Sequence, residues 1–348
     1  MNKFLVVLVL FLSTAFAGCG GSSGDGNTIP NLTSAQKEED FEYLCGILSE
    51  NYPYFEVNKR VNGIDWLGNK NSYKSKISAS GTNLSYAVEL YNAVKDLKCG
   101  HADVLMDDFS MFADVYLGNF NSATSIEPWK AVFTEAKPFY DDYWIPLFRS
   151  NSNAVTRKTP DPSVAIVKKT LTDGSAASFK IIESGKTAYM NVSAMAVPTD
   201  AEYSKILAFY TQIKDYPNLI IDIRENSGGD DYYWAGMIIP PLLTSSITGS
   251  VTTLYRSGAY IDPFLKAREI VTTDISLLPD AANYPAEYKT NFTRFYKETG
   301  VIKPDHSVGF SGKIFVLTSG KVFSSSEAFA MFCKQTGFAT IVGTVTGG

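Results

Sequence analysis

Residues 321–332 read KVFSSSEAFAMF, three serines closed by a glutamate. A serine at a helix start can act as a nucleophile, because the helix N-terminus and nearby backbone N–H groups stabilise the oxyanion of an acyl-transfer intermediate. The run Ser324-Ser325-Ser326-Glu327 also fits a capping box, in which a serine oxygen accepts from the N–H three residues on and the glutamate reaches back. Activation of a serine by imidazole needs a histidine. The chain holds two, His101 in DLKCGHADV and His306 in KPDHSVGF. Asp305 adjoins His306, but adjacent residues do not orient each other as triad members do. The third candidate is LIIDIRENSGGD, residues 219–230, where an apolar run meets Asn226-Ser227-Gly228-Gly229. Glycines at the carboxyl end of a parallel strand let the backbone turn sharply and offer N–H groups to a ligand. No Gly-Lys-Ser/Thr follows, so this is not a P-loop.

The elements that must position these groups can be read around them. Residues 33–51 predict a helix, with a Thr33-x-x-Gln36 start and a stripe of Phe41, Leu44, Cys45 and Leu48. A second helix follows Asn83, with Gly100 placed as its C-terminal glycine. Residues 33–118 form a small N-terminal helical domain, and 119–160 an irregular aromatic connector that includes EAKPFYDDYWIPLF. From 161 to 348 the pattern is α/β. Strands at 164–167, 187–192, 219–223, 314–317 and 340–342 alternate with helices at 201–214, after Asp230 and after the serine run. Such alternation implies a mostly parallel sheet covered on both faces, and LIIDI fits a strand buried on both sides. Residues 249–308 read as loops and helices inserted between core strands.

The chain has 348 residues and a net charge of −5, with no lysine- or arginine-rich run, which argues against a nucleic-acid partner. Its first residues, MNKFLVVLVLFLSTAFAGCGG, follow the pattern of a secretory signal, with an apolar run too short for an ordinary membrane span. Ala15-Phe16-Ala17 fits one cleavage rule. Ala17-Gly18-Cys19 resembles a bacterial lipoprotein box with Cys19 as the lipidated residue, and is favoured because GGSSGDGN at 20–27 is a flexible tether. The expected divisions are thus 1–19 signal and lipid box, 20–32 tether, and then the two domains and their connector. Cys45, Cys99 and Cys333 are too scattered for a zinc site or a disulfide framework. A Cys45–Cys99 bridge is conceivable, but three small buried hydrophobes is the favoured expectation. No cofactor or metal is expected.

Four segments together resemble the serine peptidase family of C-terminal processing (tail-specific) proteases and the tricorn core. They are FEYLCGILSENYPYFEVNKRVNGIDW, LKCGHADV in place of L-x-D-G-H-T, LIIDIRENSGG in place of D-x-R-x-N-G-G-G, and VLTSGKVFSSSEAFAMFCKQTGFATIVGTVTGG. The resemblance implies a ClpP/crotonase-like α/β core preceded by a helical domain. It makes Ser324 the nucleophile, three residues before Glu327, and His101 the general base. Gly228, Gly229 and Ser325 supply the oxyanion-hole N–H groups, and the partner is a polypeptide substrate. Cys99 departs from the family's aspartate and Ser227 from its first glycine. The chain stops at Gly348, one residue before the lysine of lysine-dependent members, and the tricorn-type downstream glutamate is missing, so it reads as truncated. A PDZ module is not evident; Leu117-Gly118-Asn119-Phe120 is its one faint echo. The expected protein is a secreted, lipid-anchored serine endopeptidase at an outer membrane or cell surface. The competing expectation is a non-catalytic peptide- or glycan-binding lipoprotein of the same fold. A glycosidase is disfavoured, since no carboxylate pair stands out by spacing.

Overall fold

The computed structural model describes residues 30–106, 108–114, 129–151 and 176–347. Cys19, the tether up to residue 29, Leu117–Phe120 and the strand expected at 164–167 lie outside the described residues. The chain divides into two compact units. One is an α/β unit holding 158–252 and 297–348; the other is a mainly helical unit holding 5–157 and 253–296. Residues 253–296, which the sequence places within 161–348, therefore cluster with the helices.

The helical unit opens with α1 (Ser34–Asn51), α2 (Phe55–Asn62), α3 (Lys70–Ser78) and α4 (Asn83–Lys95). Thr33 and Gln36 form the expected capping box, so two orphan N–H groups of α1 are satisfied reciprocally. Thr82 and Ser85 do the same for α4. Phe41, Leu44, Cys45 and Leu48 of α1 share one core with Tyr86, Ala87, Leu90 and Val94 of α4. Gly100 is not the helix terminator: α4 ends at Lys95, and the left-handed position beyond it falls on Lys98, with φ 54°.

After α5 (Phe109–Asp114), the stretch expected to be irregular is helical where described. It forms α6 (Trp129–Phe139), a π-turn over Tyr140–Trp144, and α7 (Ile145–Ser150). Both prolines within it are accommodated. Pro138 lies in the last turn of α6 just before the widened π-turn, and Pro146 sits in the first turn of α7, where no N–H is needed.

The α/β unit holds β1 (Ala177–Glu183), β2 (Thr187–Val192), α8 (Asp200–Ile213) and β3 (Asn218–Asp222). β1 lies outside every strand expected from the sequence. β1 and β2 form an antiparallel hairpin, and β2 and β3 pair in parallel. A π-helix over Tyr233–Ile238 takes the place of the helix expected after Asp230. Next come β4 (Ile247–Tyr255), α9 (Ile261–Ala267), β5 (Thr273–Asp274), α10 (Tyr288–Asn291) and β6 (Arg294–Ile302). β4, β6 and β5 make a three-stranded sheet where only loops and helices were expected. These strands are mostly half-buried or exposed and carry Gly249 and Gly300, so they lack the apolar alternation that marks a strand in sequence.

β7 (Lys313–Thr318), α11 (Ser325–Thr336) and β8 (Thr340–Gly343) complete the five-stranded sheet, ordered β1-β2-β3-β7-β8 and parallel from β2 onward. Leu219 and Ile221 of β3 are fully buried, as is Ile223 just beyond it. Phe209, Tyr210 and Ile213 of α8 join the same core as Phe329, Ala330 and Cys333 of α11. Among the described residues no helix is long and apolar enough to cross a membrane, and Cys45, Cys99 and Cys333 are free thiols.

Candidate active site

Two turns leave the carboxyl ends of neighbouring parallel strands in the α/β unit. One follows β3 and carries Asn226 to Gly229; the other follows β7 and carries Ser324 into α11. Asp222, at the end of β3, is almost fully buried and anchors the first turn. Its carboxylate accepts from the Arg224 guanidinium (2.7 Å), the Arg224 backbone N–H (3.0 Å) and the Tyr189 hydroxyl (2.6 Å). Burial pushes its pKa up, but these hydrogen bonds outweigh burial and hold the carboxyl below its ordinary range. The Ser319 hydroxyl donates to the Arg224 carbonyl, and Lys321 pairs with Glu225 at 2.6 Å, tying the two turns together.

Ser324 occupies the N-cap position of α11, with φ 55° and ψ −124°. That conformation is uncommon for any residue but glycine and stores local strain. Its hydroxyl makes no cap hydrogen bond, so the capping box expected over Ser324 and Glu327 is not formed. The reason is geometric: capping needs an N-cap residue in the β region. Glu327 instead accepts from the Thr346 hydroxyl at 2.7 Å.

Gly228 lies directly against this serine. A Cβ added to Gly228 would stand 2.7 Å from Ser324 Cβ and 3.0 Å from the Ser325 nitrogen, so no larger residue fits. Gly229 is equally constrained on its other side. It forms a parallel bridge with Met195, and a Cβ there would stand 1.9 Å from the Met195 carbonyl oxygen. Both glycines have positive φ, 111° and 134°.

The structure separates the expected oxyanion-hole donors. The Gly228 N–H is committed, donating to Asn226 Oδ1 at 2.9 Å. The Gly228 carbonyl accepts from Met195 N–H at 2.9 Å. In a planar trans peptide the following N–H points the opposite way. That direction, for Gly229, leads away from Met195. Gly228 supplies the close approach to Ser324, and its own N–H is already committed.

Asn226 and Ser326 went unnoticed as site residues. Asn226 was visible only as a letter of the glycine motif, and Ser326 only as part of a presumed cap. Both are fully buried. Ser326 Oγ donates to Asn226 Oδ1 at 2.6 Å, and Asn226 Nδ2 donates to the Val192 carbonyl at 3.0 Å. The Ser325 hydroxyl is buried without a partner.

His101 belongs to the helical unit, in the turn after α4. Burial raises the Cys99 pKa, partly offset by the nearby backbone N–H groups of His101 and Ala102 and the Tyr52 hydroxyl; the Ala102 N–H donates to the Cys99 carbonyl at 3.2 Å and the Tyr52 hydroxyl to the Leu97 carbonyl at 3.1 Å. His306 lies in the α/β unit, its side chain 63% exposed, beside Asp305 at 3.9 Å and with its ring 6.0 Å from that of Tyr203. Among the described residues no group of three or more His, Cys, Asp or Glu side chains is placed to hold a metal ion.

A strained serine at a strand-to-helix turn, packed on a glycine turn with uncommitted N–H groups, is the arrangement of a serine-type acyl-transfer site on an α/β fold. Residues 186–348 match the model of Peptidase family S41. No curated protein matches the chain. The fold is similar to that of a Parabacteroides merdae protein described as a candidate peptidase. That match has a TM-score of 0.51 and 16% identity, covering 91% of this chain and 77% of the other. It is also similar to mature CPAF complexed with lactacystin, with a TM-score of 0.50 and 14% identity, over 90% of this chain and 85% of that one.

Proposed function

We propose that this protein is a secreted, lipid-anchored serine endopeptidase that cleaves polypeptides through an acyl-enzyme on Ser324. The observation that carries this reading is the backbone of Ser324, held at φ 55° with its hydroxyl free of any cap bond. Strain at one serine of a three-serine run has no stabilising use, and it is the geometry that presents a hydroxyl to a substrate. In this mechanism Ser324 Oγ attacks the scissile carbonyl carbon and its proton passes to His101 as general base. The carbonyl oxygen becomes an oxyanion that takes hydrogen bonds from the N–H groups of Gly229 and Ser325, aided by the N-terminus of α11. Collapse expels the amine, which takes the proton back from His101. Water, deprotonated by the same imidazole, then releases the acid and frees Ser324. The lipid anchor rests on Cys19 and the tether, and places the enzyme at an outer membrane or cell surface.

The test is proteolysis of an unfolded polypeptide by the wild type and by Ser324→Ala, His101→Ala and His306→Ala. Loss in the first two and retention in the third is expected. Retention in His101→Ala with loss in His306→Ala would overturn the base assignment. No proteolysis by the wild type would favour a binding protein that keeps the fold.

A further inference from the structure

We propose that Asn226 is a positioning residue of this reaction: its amide fixes the Ser227–Gly228 peptide so that, with Met195 holding the next one, the Gly229 and Ser325 N–H groups face one oxyanion. The inference rests on the serine-peptidase reading above. Asn226 is fully buried and every polar atom of its side chain is used. Oδ1 accepts from Gly228 N–H (2.9 Å) and from Ser326 Oγ (2.6 Å), and Nδ2 donates to the Val192 carbonyl (3.0 Å). A backbone N–H can only donate and a carbonyl can only accept, so the orientation of the amide is fixed by its partners. One side chain thereby joins the end of β2, the glycine turn and the first turn of α11.

The consequence for chemistry follows from which groups are left over. By taking the Gly228 N–H, Asn226 sets the peptide before Gly228, and Met195 sets the peptide after it through the Gly228 carbonyl. Between these two constraints the Gly229 N–H has one direction available, away from Met195. On the helix side, Asn226 holds Ser326, two residues after the nucleophile, so the turn is secured without using the Ser324 hydroxyl as a cap. A purely structural amide would stabilise the turn; this one also decides which N–H is free. An ionised aspartate at 226 can keep both accepted bonds but cannot donate to the Val192 carbonyl, and it places a negative charge beside a developing oxyanion. A protonated aspartate can make all three bonds.

The test is covalent labelling by a fluorophosphonate, resolved into the binding constant KI and the maximal rate kinact. In the labelling step Ser324 Oγ bonds to phosphorus, the P–F bond breaks, fluoride leaves with the electron pair, and the hydroxyl proton passes to His101. For Asn226→Asp, KI is expected to match the wild type while kinact at about pH 8 falls at least about tenfold, the ratio to wild type recovering toward about pH 5. Ser326→Ala is expected to lower kinact by a smaller factor with KI unchanged, its unfolding temperature falling only by the few degrees that one lost hydrogen bond costs. Folded Asn226→Asp with wild-type kinact across this range would overturn the proposal. Should Asn226→Asp fail to fold, Ser326→Ala decides: unchanged kinact overturns the proposal and a selective fall supports it. Absence of labelling in the wild type would overturn the serine-peptidase reading itself, and the positioning role with it.

Discussion

Replacing Ser324 by glycine is expected to stabilise the protein relative to replacing it by alanine, although both changes abolish the nucleophile. The cause is the backbone at φ 55° and ψ −124°, which alanine must adopt against its own Cβ and glycine adopts freely. A single residue in such a region costs about 1–3 kcal/mol. Glycine returns about 0.5–1 kcal/mol of that through the greater entropy of its unfolded chain. The difference left is about 0.5–2 kcal/mol in favour of Ser324→Gly. For a unit of this size that is about 1–8 °C in the midpoint of thermal unfolding. Calorimetric scans of the two variants under one set of conditions measure it, with labelling confirming that both are inactive. A Ser324→Gly midpoint equal to or below that of Ser324→Ala would refute the claim that strain is stored at this serine.

Gly229→Ala must displace the Met195 carbonyl, which a new Cβ would approach to 1.9 Å, and so lose the bridge bonds Met195 N–H to Gly228 and Asp230 N–H to Met195. Backbone strain and two lost bonds sum to about 3 kcal/mol; a lower unfolding midpoint and loss of labelling are expected, and wild-type values for both would refute the role given to this turn. Cys99→Asp is expected to keep proteolysis, since a carboxylate can accept the nearby His101 N–H; Cys99→Ala is expected to lose about tenfold through a loosened His101. In the helical unit, burial raises Asp40 to about 6, partly countered by the Tyr86 hydroxyl. A carboxyl raised in the folded state contributes stability at low pH that is lost as pH rises through about 4 to 6, so Asp40→Asn should stabilise by about 1 kcal/mol near neutrality after allowance for solvent screening, and by nothing near pH ~3.5. Urea unfolding at the two pH values checks this, and an equal effect at both would contradict it.

Much of the α/β unit could be read in advance because its strands are nearly continuous apolar runs. β3 places Leu219 and Ile221 in the core, and the glycine pair that follows marks the turn at its end. β4 and β6 were not legible, because their side chains are largely half-buried or exposed and leave no alternating pattern. The helices at 129–151 were not legible in an aromatic-rich stretch whose prolines a π-turn and a helix start absorb. At the site, residue types and spacing pointed to Ser324, Gly228 and Gly229, yet the division of labour between the glycines depends on backbone direction, which no spacing encodes. Nor does sequence distinguish a serine that caps a helix from one held in a strained turn. That difference lies in one φ angle and in the amide of Asn226, a hundred residues upstream of Ser326.

The central claim, that Ser324 is the nucleophile, is tested most directly by treating the protein with a fluorophosphonate and locating the adduct by peptide mass spectrometry. The account predicts a single adduct on Ser324, absent from Ser324→Ala and strongly diminished in His101→Ala. An adduct on Ser325 or Ser326, or one that persists undiminished in Ser324→Ala, would contradict it.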